Sequence, residues 1–376
     1  GSSVGNTVTT GSFTIPMMKK TGYKPEFAGA VEAAASTGGQ IMPPIMGAAA
    51  FLMAEYIGIP YAKVAVKAIL PAILYFTGIF ISVHLEAKKL GLRGIPKDQL
   101  PKWRLLLRDC YLILPLILLV WLVSSGAKTM SHSAAYSILA AIVVGLVNFF
   151  LTRMRSAEEK SAKTTGRAIG GALADSGRSA VDSLEAGAKG AITVAVACAM
   201  AGIIAGCITV TGLASILINA IVQLAGNATF IGLILTMICC IILGMGVPTT
   251  ANYIIMASTC APILVNGMGM HILAANMFVF YFGIVADITP PVALAAYAGA
   301  AIAKAPPMKT ALNATRLAIA AFIIPYIFAY NNAMIFVGDV TFFGVASIVI
   351  SATLGMASIA SGFMGYLIHD LKWYSR

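Results

Sequence analysis

The chain has 376 residues, 59% of them hydrophobic and only 10% charged, with a mean hydropathy of +0.89. Soluble domains carry about 25% charged residues, so this composition excludes a water-soluble globular protein and points to an integral membrane one. The formal net charge of +11 does not argue for nucleic acid, because the cations fall in short clusters between apolar runs, as the positive-inside rule expects.

Apolar runs of helical length recur and no ten-residue alternating pattern does, so the spanning elements are predicted to be helices. The chain opens on GSSVGNTVTTGSFTIP, polar and glycine-rich, and passes directly into hydrophobic sequence. That opening reads as a fragment starting inside a functional motif, with upstream helices missing. Residues 4–18 predict a short arm, too short to cross ~30 Å at about 1.5 Å per residue. Lys19, Lys20 and Lys24 follow, then an apolar stretch over 25–58 that is interrupted at STGGQIMPPIMG (36–47). Two adjacent prolines remove backbone donors and clash with the preceding turn, so Pro43 and Pro44 mark a helix break.

A span is predicted over 62–86, and a basic loop over 87–104. Spans follow at 105–126 and 133–152. Residues 153–187 change character and read as an amphipathic helix or linker lying on the membrane surface. Further on, a span at 188–210, a short apolar piece at 213–225 and an arm at 228–243 lead to GMGVPTTANY (244–253). A second arm ends near Leu264. The stretch 271–303 is broken at GIVADITPPVAL (283–294), where Pro290 and Pro291 repeat the earlier interruption. Spans at 310–330 and 340–368 complete the chain, with a basic tail carrying Lys372 and Arg376.

The loops at 87–104, 153–167 and 304–316 and the C-terminus are basic and predicted to be cytoplasmic; the turns at 58–61, 127–132 and 331–339 are predicted to face outward. These assignments alternate if 213–225 does not cross fully, and the two hairpins then enter from opposite faces. Pro16 lies 27 residues before Pro43, and Pro262 lies 28 before Pro290. Each half has the order polar tip, arm, turn, broken helix, span. With opposite orientation this predicts an all-α inverted-repeat transporter with two re-entrant hairpins and two Pro-Pro-broken helices.

Four polar patches interrupt the apolar sequence: Gly1–Thr10, Ser36–Gln40, Gly244–Asn252 and Ala286–Thr289. Where a helix is broken, carbonyls lose their partners and offer oxygen ligands to a hard cation, while half-helix N-termini suit an anion. Small residues also serve close helix packing, and isolated pairs such as Gly170 and Gly171 read that way. Asp287 is the one acid in the second broken helix, and an aspartate at helix centre costs about 2.5–3.5 kcal/mol on insertion scales, so it is expected to face a cavity or a partner. Ion ligand, proton carrier and structural partner all remain open for it. Glu32 reads as a weaker case near a helix end, and Glu55 as interfacial.

The six cysteines lie in apolar segments without CxxC spacing and read as small buried hydrophobes. The four histidines fall at predicted helix ends, which leaves no buried acid–base or metal constellation. Gly126-Ala127-Lys128-Thr129 lacks the Gly-Lys step of a nucleotide-binding loop.

The segments GSSVGNTVTTGSFTIPMMKKTGY, FAGAVEAAASTGGQIMPPIMGAAAF, GMGVPTTANYII and FYFGIVADITPPVALAAYAGAAIA resemble the large membrane subunit of tripartite ATP-independent periplasmic (TRAP) transporters, in particular the fused-permease branch that works with TAXI-type binding proteins. The resemblance implies sodium-coupled uptake of an organic anion, usually a carboxylate, delivered by a periplasmic substrate-binding protein. It implies an elevator-like transport domain moving against a scaffold in the inner membrane, with no cofactor other than the coupling Na+. A small four-helix membrane component, separate or fused upstream, is a further implied partner. On this resemblance, 1–58 (second arm of hairpin one with the first broken helix) and 228–303 are transport domain. Residues 59–152 and 188–227 are scaffold, 153–187 a cytoplasmic or interfacial linker, and 304–376 the C-terminal spans.

Carried over by motif, the sodium-binding candidates are Gly1, Ser2, Ser3 and Asn6 at the first tip and Gly38, Gly39 and Gln40 at the first break. At the second tip they are Gly244, Gly246, Thr249 and Thr250, and at the second break Asp287 and Thr289. Ser36, Thr37 and Asn252 are the substrate-binding candidates. Two other classes stand beside it. A proton-coupled exchanger would use Asp287 or Glu32 as carrier, and an intramembrane hydrolase lacks a mid-membrane base and a paired acid.

Overall fold

The computed structural model describes residues 2–44, 46–94, 107, 110–125, 130–158, 165–226, 228–338 and 340–371. Among them the only strand-like pairing is an isolated bridge between Tyr366 and Asp370, so the fold is all-α. In chain order the helices are α1 (Ser3–Thr21), α2 (Pro25–Gly38), α3 (Ala48–Ile57), α4 (Tyr61–Lys89), α5 (Leu114–Ser125), α6 (Met130–Glu158) and α7 (Thr165–Val210). Then come α8 (Leu213–Ala225), α9 (Thr229–Gly244), α10 (Thr249–Thr259), α11 (Ile272–Val285), α12 (Leu294–Ala303), α13 (Pro307–Leu317), α14 (Ile319–Tyr330) and α15 (Phe342–Met364). Among the described residues four stretches are long and apolar enough to cross a membrane: Tyr61–Lys89, His132–Phe149, Pro307–Tyr330 and Phe342–Met364. The chain is a multi-pass membrane protein.

Two compact units divide it. One comprises 1–59, 63–94 and 197–376; the other comprises 60–62 and 95–196. In the second unit α5 and α6 pack against each other, and Tyr111 donates a 2.6 Å hydrogen bond to Asn148 Oδ1.

The first unit holds all the polar patches. The turn between α1 and α2 falls at Gly22, whose φ of +113° is left-handed. The Gly22 amide donates to Lys19 O and that of Tyr23 to Met18 O, which satisfies carbonyls at the end of α1. Pro25 then starts α2 at a position where its missing N–H is no loss. The two Pro-Pro pairs lie in the gaps between half-helices, α2 to α3 and α11 to α12, and both peptide bonds, Pro43-Pro44 and Pro290-Pro291, are cis.

The half-helices exchange partners. Helix α1 packs on α2 and α12, whereas α10 packs on α11 and α3; α2 packs on α12, and α11 on α3. Each relation in one half therefore has its counterpart in the other. The tightest approach is between α2 and α12. A Cβ on Gly299 would lie 2.6 Å from Gly29 O, and one on Gly29 would lie 2.9 Å from Gly299 O. Helix α11 is buried on every side over Leu273–Val285, as an apolar helix must be when other helices surround it. Phe278, Phe282 and Tyr326 interlock edge to face between α11 and α14, a geometry favoured by the ring quadrupoles.

Several boundaries differ from the sequence expectation. The surface segment 153–187 and the span 188–210 do not form two elements: α6 runs on to Glu158, and Thr165–Val210 is one helix of 46 residues. The sequence from 165 to 190 contains no proline, and its six glycines, each a weak helix former, do not interrupt the helix. The 310–330 span is interrupted at Ala318, which leaves helical geometry at φ −86°, ψ 14°. Cys110 and Cys207 are exposed, in contrast to Cys240 and Cys260; a thiol facing lipid needs no burial, because the surrounding medium is itself apolar.

The Gly29–Gly299 crossing gives a direct test. Overpacking of this kind costs about 1–3 kcal/mol, so Gly299→Ala is expected to lower the thermal midpoint of the purified protein clearly. Gly355→Ala, whose added methyl meets nothing within 4 Å, is expected to leave it unchanged.

Candidate functional site

The first turns of α1 carry a polar face. Ser3, Thr7, Thr10 and Thr14 follow one another at helical spacing, so their side chains share a side of the helix. Ser2 is the N-cap, and its side chain accepts from the Gly5 amide at 3.2 Å, the ordinary work of a serine there. Ser3, fully buried, donates to Asp287 Oδ2 at 2.6 Å. Asn6 donates through Nδ2 to Ser36 Oγ at 3.1 Å. Gly1 lies outside the described residues.

Glu32 is the hub of this region. It is 7% exposed on α2, away from the helix end where sequence had placed it. Its carboxylate accepts from the hydroxyls of Thr10 and Thr14 on α1 and from Ser36 Oγ at 3.3 Å. The chain Asn6–Ser36–Glu32 thus joins the first tip to the first break. Among the described residues neither Glu32 nor Asp287 has a cation within ion-pair distance.

At the first break Thr37 spends its hydroxyl on Ala33 O at 2.9 Å, and Gly38 is packed so tightly that a Cβ would lie 2.3 Å from the Tyr75 ring. The Tyr75 hydroxyl donates to Ala34 O at 2.7 Å. Gly39 stays exposed, whereas Gln40 is 2% exposed with both Oε1 and Nε2 lacking a hydrogen-bond partner. An amide buried in this way is costly, on the order of 1–3 kcal/mol per unmet group, and such groups call for an explanation. Thr7 Oγ1 and Asn252 Oδ1 are buried and unpartnered too.

At the second tip Gly244 sits against Asn252 and Ala286; a Cβ there would be 2.9 Å from Asn252 Nδ2. Asn252 Nδ2 donates to Gly283 O at 2.8 Å, which fastens α10 to the last turn of α11. Gly246 turns the chain at φ +75°, and Thr249 and Thr250 open α10. Thr289 donates to Val285 O at 2.8 Å. Beyond the prolines, Tyr297 donates to Pro291 O at 2.6 Å, and Thr315 to Ile288 O at 3.0 Å, so carbonyls freed by the break find side-chain donors.

The structure therefore unites the first tip with the first break, and the second tip with the approach to the second break. Asp287 is the exception. The sequence placed it at the second break, paired with the second tip, but its hydroxyl donor is Ser3 of the first tip. Thr7 and Thr10 lie in the first polar patch but are not among the candidate ligands, and Thr14 lies beyond it. Their helical spacing is visible in the sequence, but the buried glutamate that accepts from Thr10 and Thr14 is not. Among the described residues no cluster of three His, Cys, Asp or Glu side chains could hold a transition metal.

The Glu32 cluster predicts strong coupling. Hydrogen bonds to a charged group contribute about 1.5–3 kcal/mol, so a double-mutant cycle on thermal or denaturant stability with Glu32→Ala and Thr14→Val is expected to give a coupling of that order. Additive effects would show that the contact is energetically idle.

No curated protein matches the chain. Over residues 1–343, however, it matches the family described as the tripartite ATP-independent periplasmic transporter, DctM component. That is a family of transporter components, not of enzymes, and the match takes in both tips, both breaks and the helices that carry them. The chain belongs to the DctM family, the large permease component of tripartite ATP-independent periplasmic transporters.

Proposed function

We propose that this permease imports an organic anion, a carboxylate, driven by sodium moving inward across the inner membrane. The observation that carries the reading is the presence, among the described residues of one unit of the fold, of buried polar atoms without a protein partner and of buried carboxylates without a cation. Gln40, Thr7 and Asn252 present unpaired oxygens, and Asp287 and Glu32 are buried carboxylates without a paired cation. Hard cations take oxygen ligands of this kind, from side chains and from carbonyls at helix ends. A cation would also relieve the desolvation that an isolated buried carboxylate suffers.

In this reading the sodium ligands come from Ser3, Asn6, Gly38, Gly39 and Gln40 on one side and from Gly244, Gly246, Thr249, Thr250 and Thr289 on the other, with Asp287 reaching across from the second break to Ser3. The anion lies between the hairpins, near Ser36, Thr37 and Asn252. The N-termini of α3 and α12, which have no side-chain cap, favour its charge. A periplasmic binding protein of the TAXI type delivers the substrate, and the small four-helix component completes the membrane part. The basic C-terminal tail lies in the cytoplasm, and the two hairpins with their broken helices move together as an elevator. Membrane potential contributes about 2.3 kcal/mol per charge per 100 mV, so sodium in excess of substrate charge makes uptake electrogenic.

The test is uptake into proteoliposomes holding the permease with its membrane and binding partners. Asp287→Asn and Thr250→Ala are each expected to raise the half-saturating sodium concentration about tenfold, the scale of one lost contact to a charged group. Unchanged sodium dependence in both removes these residues from the coupling site. Uptake driven by a pH gradient without sodium would favour instead a proton carried on Asp287 or Glu32.

A further inference from the structure

A basin far from the polar patches in character opens at the ends of two long apolar helices. It has a volume of about 360 Å³ and is walled by Lys24 and Glu26 at the start of α2, Glu86 and Lys89 at the end of α4, and Lys309 and Arg316 on α13. Four cations therefore face two acids. Among the described residues no ion pair joins any of them. Lys89 donates to Met364 O at 2.7 Å, which holds its ammonium at the wall and caps the last turn of α15. Burial and the neighbouring Glu86 carboxylate together raise the phenol of Tyr23 above its ordinary value, so Glu86 is close enough to be felt across the base of the first hairpin.

Two features fix where this basin lies. Helix α4 is a 29-residue apolar helix that ends on Lys88 and Lys89, so its last turn sits where hydrocarbon gives way to headgroups. Leu312 and Phe363, each 46% exposed, stand on the walls of the same basin. An apolar flank beside an excess of cations at that depth matches a molecule with an anionic head and hydrocarbon tails.

We propose that the basin binds a phosphate group, and that the phosphate is the headgroup of an anionic phospholipid held between α13 and the paired ends of α4 and α15. Arg316 offers a planar fork suited to two phosphate oxygens, with Lys24 and Lys309 as point charges around it. Lipid bound there bridges α13, which follows the second broken helix, to α4 and α15.

Native mass spectrometry of the purified full chain, titrated with a diphosphatidylglycerol or with phosphatidylcholine, reads this directly. The anionic lipid is expected to be retained preferentially. The double variant Lys309→Gln/Arg316→Gln is expected to weaken retention roughly 30-fold, about fivefold for each cation near the surface. Lys63→Gln, at the other end of α4, is expected to change nothing. Glu86→Gln removes an opposing charge and is expected to strengthen retention, a direction that misfolding does not mimic. A parallel titration with inorganic phosphate separates the two sources: protection of the chain by phosphate alone, lost in the double variant, keeps the phosphate site and overturns the lipid. Equal retention of anionic and zwitterionic lipid, or retention indifferent to Lys309 and Arg316, overturns the proposal. None of these readouts depends on sodium or on transport, so the result stands apart from the coupling scheme above.

Discussion

A peptide segment surrounded by hydrocarbon has no water with which to pair its amides and carbonyls, and every group left open costs free energy comparable to a lost hydrogen bond or more. The two Pro-Pro interruptions set that difficulty in the middle of the fold, and the rest of the first unit accommodates it. Helix α11, which leads into the second break, is buried along its whole length, and α2, which leads into the first, is buried over most of its final ten residues. Tyr297 and Thr315 reach the carbonyls of Pro291 and Ile288, while Asn252 reaches Gly283. The helices leading into the breaks are enclosed by protein, while Pro44 and Pro291 themselves stay exposed, so the freed carbonyls depend on these side-chain donors.

The two buried carboxylates are treated differently. Glu32 gathers hydroxyls from two threonines and a serine, which is close to the capacity of a carboxylate held inside one helix pair. Asp287 receives one serine hydroxyl. Neutral donors solvate a negative charge without cancelling it, so the glutamate resembles a fastening and the aspartate a group with coordination to spare. Both are served by α1, whose short polar face makes it the common wall of the two breaks.

Both interruptions could be located in the sequence because proline acts locally: its effect on the preceding turn needs no knowledge of neighbours. The all-α membrane class was equally plain, since hydrophobic run length is a property of composition. Contacts between distant segments were not legible. Ser3 and Asp287 are 284 positions apart, and nothing in either neighbourhood specifies the other. Glu32 was underrated for a related reason, as its partners lie on a separate helix and its depth depends on the way α1 folds back at Gly22. The continuous helix Thr165–Val210 was not legible because a change in polarity reads like a change in structure, whereas only proline, absent from this segment, would have forced a stop.

The glycine contact between α2 and α12 has a mechanical corollary. With main chain touching main chain at Gly29 and Gly299, no flexible side chain lies between the rods to absorb relative sliding. Since the rods come from opposite halves of the sequence, this contact splices the two halves backbone to backbone, with no side chain as a washer between them.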